Sequence, residues 1–203
     1  MKSDDTYKTI AEPSEEILYK EKNSKFFGYA FPVTSEDEIK NHLELLRKRH
    51  VGAGHFCYAW QIGTHKIAFR ANDDGEPSNS AGMPIYGQMQ SFGVTNTLIV
   101  IVRFFGGVKL GVGGLISAYK TSAQMALENA TIVERTIDVQ FVVSFDYKNM
   151  NKVMRVIKEK NLEIIAQKME MGCEIEISTR EKNADAVLAI FQSMFEIKIK
   201  QKN

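Results

Sequence analysis

Residues 96–130, N-T-L-I-V-I-V-R-F-F-G-G-V-K-L-G-V-G-G-L-I-S-A-Y-K-T-S-A-Q-M-A-L-E-N-A, contain the clearest local signals in the chain. Leu98–Val102 is an unbroken run of leucine and β-branched residues, which is typical of a strand buried on both faces. From Leu115 onward, apolar residues recur at helical spacing, so the sequence predicts a helix there. The glycine-rich segment between them predicts a turn from a core strand into a helix N-terminus.

This glycine-rich turn is a candidate anion site. Glycines let backbone N–H groups converge, and the positive end of a helix dipole attracts negative charge. The positive side chains beside the turn and on the following helix suit phosphate contacts. The alternative is that the glycines only permit positive φ angles and close packing of the helix on the sheet. The candidate anion- or nucleic-acid-binding residues are Arg103, Gly106, Gly107, Lys109, Gly111, Gly113, Gly114 and Lys120.

Composition and motif searches exclude several classes of protein. A formal net charge of +1 over 203 residues gives no global attraction to nucleic acid, so any such surface must be local. Cys57 and Cys173 are too few for a disulfide framework or a zinc site, and they fit a reducing cytoplasm. We expect no signal peptide and no membrane span, because neither the first residues nor any later stretch is a long apolar run. The sequence lacks the motif of a nucleoside-triphosphate P-loop, and a dinucleotide fold is weakly supported. We therefore expect a cytoplasmic globular protein with no cofactor and no membrane partner.

The order of the predicted elements indicates an α+β protein of two domains. Two strands, a helix, two further strands and a short helix precede the glycine-rich segment. A second pattern starts near Val139 and has the order β-α-β-β-α-β, which is the ferredoxin-like plait. Because the boundary falls within Thr131–Asp138, the predicted domains are residues 1–135 and 136–203.

An acidic turn supplies a second candidate site, with the motif Asp73, Asp74, Gly75, Glu76 and Pro77. Its carboxylates could hold Mg²⁺ through oxygen ligands or act as a general base. The alternative is an ordinary turn, because Asp-Asp-Gly is common in turns.

His55 is a further candidate, because it lies two residues before Cys57 on a predicted strand and both side chains face the same side. Nucleophilic catalysis by this pair would need a direct hydrogen bond and a third, orienting group. A small, buried packing residue is the alternative interpretation of Cys57.

Taken together, five motifs resemble the IMPACT/YigZ family. The resemblance covers about residues 15–130 in the family's order, and the remainder is similar to the small C-terminal domain of bacterial two-domain members. The motifs are S-K-F-F-G at 24–28, G-H-F-C-Y-A-W at 54–60, D-D-G-E-P-S at 73–78, A-G-M-P at 81–84 and R-F-F-G-G-V-K-L-G-V-G-G-L at 103–115.

The resemblance implies a particular fold. In this family the N-terminal domain has a left-handed β-α-β crossover, like a small-subunit ribosomal protein domain and domain IV of elongation factor G. The C-terminal plait is similar to domain V of that factor. The family's acidic motif maps onto residues 73–77, and its Gly-Gly pair maps onto Gly106 and Gly107.

The chain departs from the family pattern at two places. Asn79 and Ser80 stand where the family usually has Gly-Thr, and Ser117 stands where a basic residue usually precedes Ala-Tyr. The second departure weakens phosphate binding at the glycine-rich turn unless Lys109 or Lys120 substitutes for the missing charge.

The resemblance also implies a role. Eukaryotic relatives are regulators of translation that compete for the activator of a starvation-responsive kinase. We therefore expect a cytoplasmic regulatory protein, more a binding protein than an enzyme, whose partner is RNA, the ribosome or a translation-associated protein. The loops at 73–84 and 103–115 should be neighbours, with Arg103 and Lys109 meeting anions.

Two alternatives remain open at the level of sequence. The first is a hydrolase that acts on a phosphorylated or peptide substrate through Asp73, Asp74 and Glu76. The second is a protein-interaction module that uses the exposed faces of both domains, which a large apolar patch without a basic neighbour would favour.

Overall fold

The computed structural model of the protein describes residues 5–170 and 172–202. Contacts within the chain define a larger unit, residues 7–135, and a smaller unit, residues 136–202 together with Asp5 and Thr6. The strands and helices are β1 (Thr6–Ile10), β2 (Ile17–Glu21), β3 (Ser24–Pro32), α1 (Glu36–Arg49), β4 (His55–Ile62), β5 (Ala68–Asn72), α2 (Gly82–Phe92), β6 (Thr97–Phe104), α3 (Gly111–Glu128), β7 (Ile132–Thr136), β8 (Asp138–Phe145), α4 (Met150–Glu159), β9 (Glu163–Met169), β10 (Cys173–Arg180), α5 (Ala184–Gln192) and β11 (Ile197–Gln201).

Strand β6 is the centre of the larger unit. It lies in a five-stranded sheet of order β2-β3-β6-β4-β5, and each neighbouring pair is antiparallel. Leu98, Val100 and Val102 pack on the side of α1, whereas Ile99 and Ile101 pack on the side of α2 and α3. The prediction of a strand buried on both faces is therefore confirmed.

The connection from β3 through α1 to β4 is a β-α-β unit. Both strands pair antiparallel with β6, so they run parallel to each other on either side of it. The handedness of this crossover stays a prediction, as does the likeness to the two elongation-factor domains.

Helix α3 begins earlier than the sequence predicts, at Gly111 instead of Leu115. Gly113 and Gly114 therefore lie in its first turns and not in a loop. Glycine lowers helix stability by about 1 kcal/mol relative to alanine. Burial of Leu115, Tyr119 and other residues of one helix face outweighs that penalty.

Strands β1 and β7 form a two-stranded sheet that the local sequence pattern does not predict. The Ala11 N–H donates to the Thr131 carbonyl at 2.8 Å, next to this pair. Strand β7 occupies the stretch that was predicted to be the domain boundary. Pairing between segments so distant in sequence leaves no local signal.

The smaller unit has the predicted order β-α-β-β-α-β, from β8 to β11. Its sheet has the order β11-β8-β10-β9, and the described pairs are antiparallel. A separate hydrophobic cluster fills it, with Phe141, Val143, Ile175 and Phe191 fully buried. The predicted two-domain α+β class is confirmed. Among the described residues, no helix is both long enough and apolar enough to cross a membrane.

Candidate functional site

The two loops that the sequence predicted to be neighbours meet at Glu76. Arg103 Nη1 donates a hydrogen bond to Glu76 Oε1 at 2.6 Å, and the Tyr119 hydroxyl donates to the same oxygen at 2.7 Å. The acidic motif is thereby joined to the end of β6 and to α3. Glu76 is almost fully buried, so it acts as an internal anchor of this junction.

Arg103 is held inside the protein. Its side chain is 5% exposed, and Nη2 lies 3.4 Å from Ser24 Oγ. Its guanidinium lies over the rings of Phe26 and Phe105, at 5.4 and 5.6 Å from the ring centroids. Because Glu76 balances its charge, Arg103 supports the junction, and the exposed cations of the predicted anion site are Lys109 and Lys120.

Asp73 holds the loop that precedes α2. One carboxylate oxygen accepts from the backbone N–H groups of Ala81 at 3.0 Å and Gly82 at 2.8 Å, and the other accepts from Asn79 N–H at 2.9 Å. The Ala81 and Gly82 N–H groups lie at the start of α2, where helical donors lack partners within the helix. Asp73 therefore caps α2 from a distance in sequence.

Asp74 connects the same loop to β4 and α1. Its carboxylate accepts from Phe56 N–H at 2.6 Å and pairs with Arg47 at 3.3 Å. Gly75 follows with φ +89°, a left-handed conformation that glycine adopts without strain. Pro77 closes the turn, because its carbonyl accepts from Ser80 N–H at 3.0 Å.

His55 and Cys57 both face this loop, as their spacing on β4 predicts. His55 Nδ1 lies 2.9 Å from the Asp74 carbonyl oxygen, and Nε2 lies 3.9 Å from Glu76 Oε1. The Cys57 thiol donates to the Asp73 carbonyl at 3.0 Å. Burial raises the pKa of Cys57, which keeps it a thiol and disfavours nucleophilic catalysis.

No group of three or more His, Cys, Asp or Glu side chains within residues 5–170 and 172–202 is arranged to hold a metal ion. The carboxylates of Asp73, Asp74 and Glu76 instead accept hydrogen bonds from the protein itself. The geometry of the acidic motif is that of a structural turn.

The glycine-rich loop is pressed against the turn between β2 and β3. A Cβ atom on Gly106 would lie 2.1 Å from the Asn23 carbonyl carbon, so only glycine fits there. The Gly106 N–H donates to Ser24 Oγ at 3.2 Å, and Gly107 has φ +85°. The predicted alternative role of the glycines, close packing, therefore applies to Gly106.

The start of α3 is open. Leu110 is its N-cap and supplies no side-chain hydrogen bond, and the first turn contains no acidic residue. Gly111 and Gly113 are exposed, so backbone N–H groups at this end are accessible to a partner. Lys109 and Lys120 are exposed, and neither pairs with an acid of the described chain.

Exposed apolar side chains surround this helix start, and the sequence analysis did not identify them. Val112 and Ile116 lie four residues apart on α3, and Lys120 follows four residues later, which is the signal that could have shown a shared side. We call the following set the loop surface: Phe105, Val108, Lys109, Val112, Ile116 and Lys120.

Comparison with known proteins places these features in a family. The sequence pattern of the Impact N-terminal domain matches residues 22–127, which span both the acidic motif and the glycine-rich loop. The IMPACT family member YvyE of Bacillus subtilis is 33% identical over 181 residues, covering 89% of this chain and 83% of its own.

Two further relatives extend the comparison. The protein IMPACT homolog of Saccharomyces cerevisiae is 31% identical over 96 residues, covering 45% of this chain and 36% of its own. A crystal structure described as that of a hypothetical protein covers 98% of both chains with a TM-score of 0.74 and 23% identity. That second likeness shows a shared fold.

Proposed function

Because this chain belongs to the IMPACT family, we propose that it is a translation-linked regulatory protein that works by binding a component of the translation apparatus. The link to translation comes from the resemblance, which implies that eukaryotic relatives regulate translation. We place this activity in the cytoplasm, where translation takes place.

The loop surface is the observation that carries the proposal. Its apolar members are substantially exposed, with Phe105 at 55% and Val112 at 53%. Val112 and Ile116 lie on one side of α3, and contiguous exposed apolar groups mark interaction sites. The open N-terminus of α3 and the exposed side chains of Lys109 and Lys120 add positive potential, so this surface complements a partner with both apolar and acidic groups.

The acidic motif favours binding over the hydrolase alternative. Asp73 caps α2, Asp74 holds β4, and Glu76 neutralises Arg103. A general base or metal ligand needs a carboxylate that is open to substrate or metal. These three carboxylates instead shape the loop that packs beside β6.

Co-sedimentation of the purified full chain with ribosomes, across a salt series, tests the proposal. We expect binding that Val112→Ser/Ile116→Ser weakens at least tenfold, because the apolar contacts are lost. The matched control, Val51→Ser/Ile67→Ser, removes two exposed apolar side chains elsewhere and should bind like the wild type.

The salt dependence of binding shows whether the partner on the ribosome is RNA or a protein. If the partner is RNA, Lys109→Gln/Lys120→Gln should weaken binding and reduce its salt dependence, whereas Lys48→Gln/Lys66→Gln should not. If the partner is a protein, the apolar variant should have the larger effect and the salt dependence should be shallow. Failure of the wild type to bind at low salt would contradict an interaction with the ribosome.

A further inference from the structure

A cleft on the larger unit lies apart from the loop surface and is bounded by residues 13–16, β3 and α1. Its volume is about 410 Å³, within the range of roughly 300–1,000 Å³ that small-molecule sites occupy. Most of its lining is apolar, and Leu45 stands at its edge with 62% of its surface exposed. We call it the α1 cleft.

Three nearly parallel rings line the α1 cleft. Phe31 stacks on His42 with centroids 4.1 Å apart and planes 18° apart, and Tyr29 lies at 9° to Phe31. Phe31 and His42 are half-buried, so parts of their surfaces face the cleft. Burial lowers the pKa of His42, so its ring is uncharged at neutral pH. Flat, uncharged rings of this kind stack well with planar heterocycles.

One rim of the cleft presents a hydrogen-bond acceptor beside donors. Arg49 Nη2 forms an ion pair with Glu16 Oε2 at 2.9 Å, and the Tyr29 hydroxyl donates a hydrogen bond to the same oxygen. Within residues 5–170 and 172–202, no group donates to Glu16 Oε1. Arg49 is 60% exposed and has further N–H donors, since a guanidinium carries five.

The charges at this rim restrict the chemistry of a ligand. Glu15, Glu16 and Arg49 line the cleft, so carboxylates outnumber cations and a deeply bound phosphate is disfavoured. An uncharged planar ring with adjacent N–H donors and one acceptor is complementary. Guanine has this edge, with donors at N1 and N2 next to the acceptor O6. Adenine has one donor group on the corresponding edge and no N1–H.

We propose that the α1 cleft binds a guanine ring, which stacks against the face of His42 that Phe31 does not cover and pairs its Watson–Crick edge with Glu16 and Arg49. Glu16 accepts from N1–H and the 2-amino group, and Arg49 donates to O6. The ring belongs either to a free guanine nucleotide or to an unpaired guanosine in RNA. Both sources present the same edge.

Calorimetric titration of the full chain with guanosine and with adenosine tests this site. We expect guanosine to bind at least tenfold more tightly than adenosine. Glu16→Gln should remove most of that preference, because an amide offers one acceptor and adds a donor facing the donors of guanine. The matched control is Glu44→Gln on the solvent side of α1, which should retain the preference.

His42→Ala is a second variant that tests the site even if Glu16→Gln does not fold. This substitution removes a stacking surface. It should lower the affinities for guanosine and adenosine by the same factor, so the ratio of the two affinities should not change. The absence of guanosine binding to the wild type, or equal affinity for both nucleosides, would overturn the proposal.

The affinities for two further ligands distinguish between a free nucleotide and RNA as the source of the guanine ring. Single-stranded oligonucleotides that contain one guanine should bind at least tenfold more tightly than GMP if RNA is the source. GMP should match the oligonucleotide if a free nucleotide is the source. Neither result depends on ribosome binding, so this test can fail while the proposed function holds.

Discussion

The buried ion pair between Arg103 and Glu76 leads to a prediction at the scale of single residues. Glu76→Gln removes the negative charge and leaves the guanidinium buried without a counter-charge, which should lower the free energy of unfolding by about 3–5 kcal/mol. Arg103→Met should have a similar effect. The double variant should be less destabilised than the sum, because neither charge is then left alone.

Urea unfolding measures this effect in the larger unit, because the one tryptophan of the chain, Trp60, lies in β4 and reports on that unit. Lys40→Met is the control. It breaks the exposed Lys40–Asp37 pair, and such pairs contribute less than ~1 kcal/mol. A Glu76→Gln effect as small as that of the control would contradict a structural role for the buried pair.

The sequence partly indicates that Arg103 is buried, but it does not predict the partner of Arg103. Side chains alternate along a strand, so Arg103 shares the face of Ile99 and Ile101, which α2 and α3 cover. The sequence shows that a charge at this position needs a partner. It does not show that Glu76, 27 positions away, supplies one. Lys109 lies in the loop beyond the strand, and for that reason its exposure follows from position alone.

At the scale of elements, two glycines of the same segment should respond in opposite ways to alanine. Gly106→Ala should destabilise the larger unit by about 1–3 kcal/mol, because its Cβ would lie 2.1 Å from the Asn23 backbone. Gly113→Ala should stabilise it by up to about 1 kcal/mol, because Gly113 lies in α3 with no atom within 4 Å of its Cβ position.

Thermal unfolding followed by Trp60 fluorescence compares the two variants directly, and each serves as the control for the other. Equal destabilisation would mean that the glycines act only through chain flexibility. A stabilising Gly106→Ala would contradict the close approach of the loop to Asn23.

The same segment shows which features local sequence signals can predict and which they cannot. The central strand was predictable because its apolar run is continuous, and the helix was predictable from its spacing. Its first turn was missed because Gly111, Gly113 and Gly114 have low helix propensity, so the local sequence does not identify them as helical. The pairing of β1 with β7 was missed for the same reason, since neither strand carries a signal that identifies its partner.

At the scale of the whole molecule, the predicted division of the chain into two domains rests on two patterns of elements. In the structure, each unit contains its own hydrophobic clusters. The order β-α-β-β-α-β was enough to predict the plait, because few folds bury both helices of that order against one sheet. The loop surface and the α1 cleft could not be predicted in this way. They depend on which side chains remain exposed after the sheet and helices have packed.

Separate clusters predict separate responses to core substitutions. Phe191→Ala should destabilise the smaller unit by about 3–5 kcal/mol, and Leu127→Ala should destabilise the larger unit by about 2–5 kcal/mol, because both side chains are fully buried. Hydrogen exchange measured by mass spectrometry should show faster exchange in β8 and β10 for the first variant and in β6 for the second. If either variant accelerates exchange equally in β6 and β10, the two clusters unfold as one cooperative unit, and the larger unit's binding surfaces would then depend on the stability of the plait.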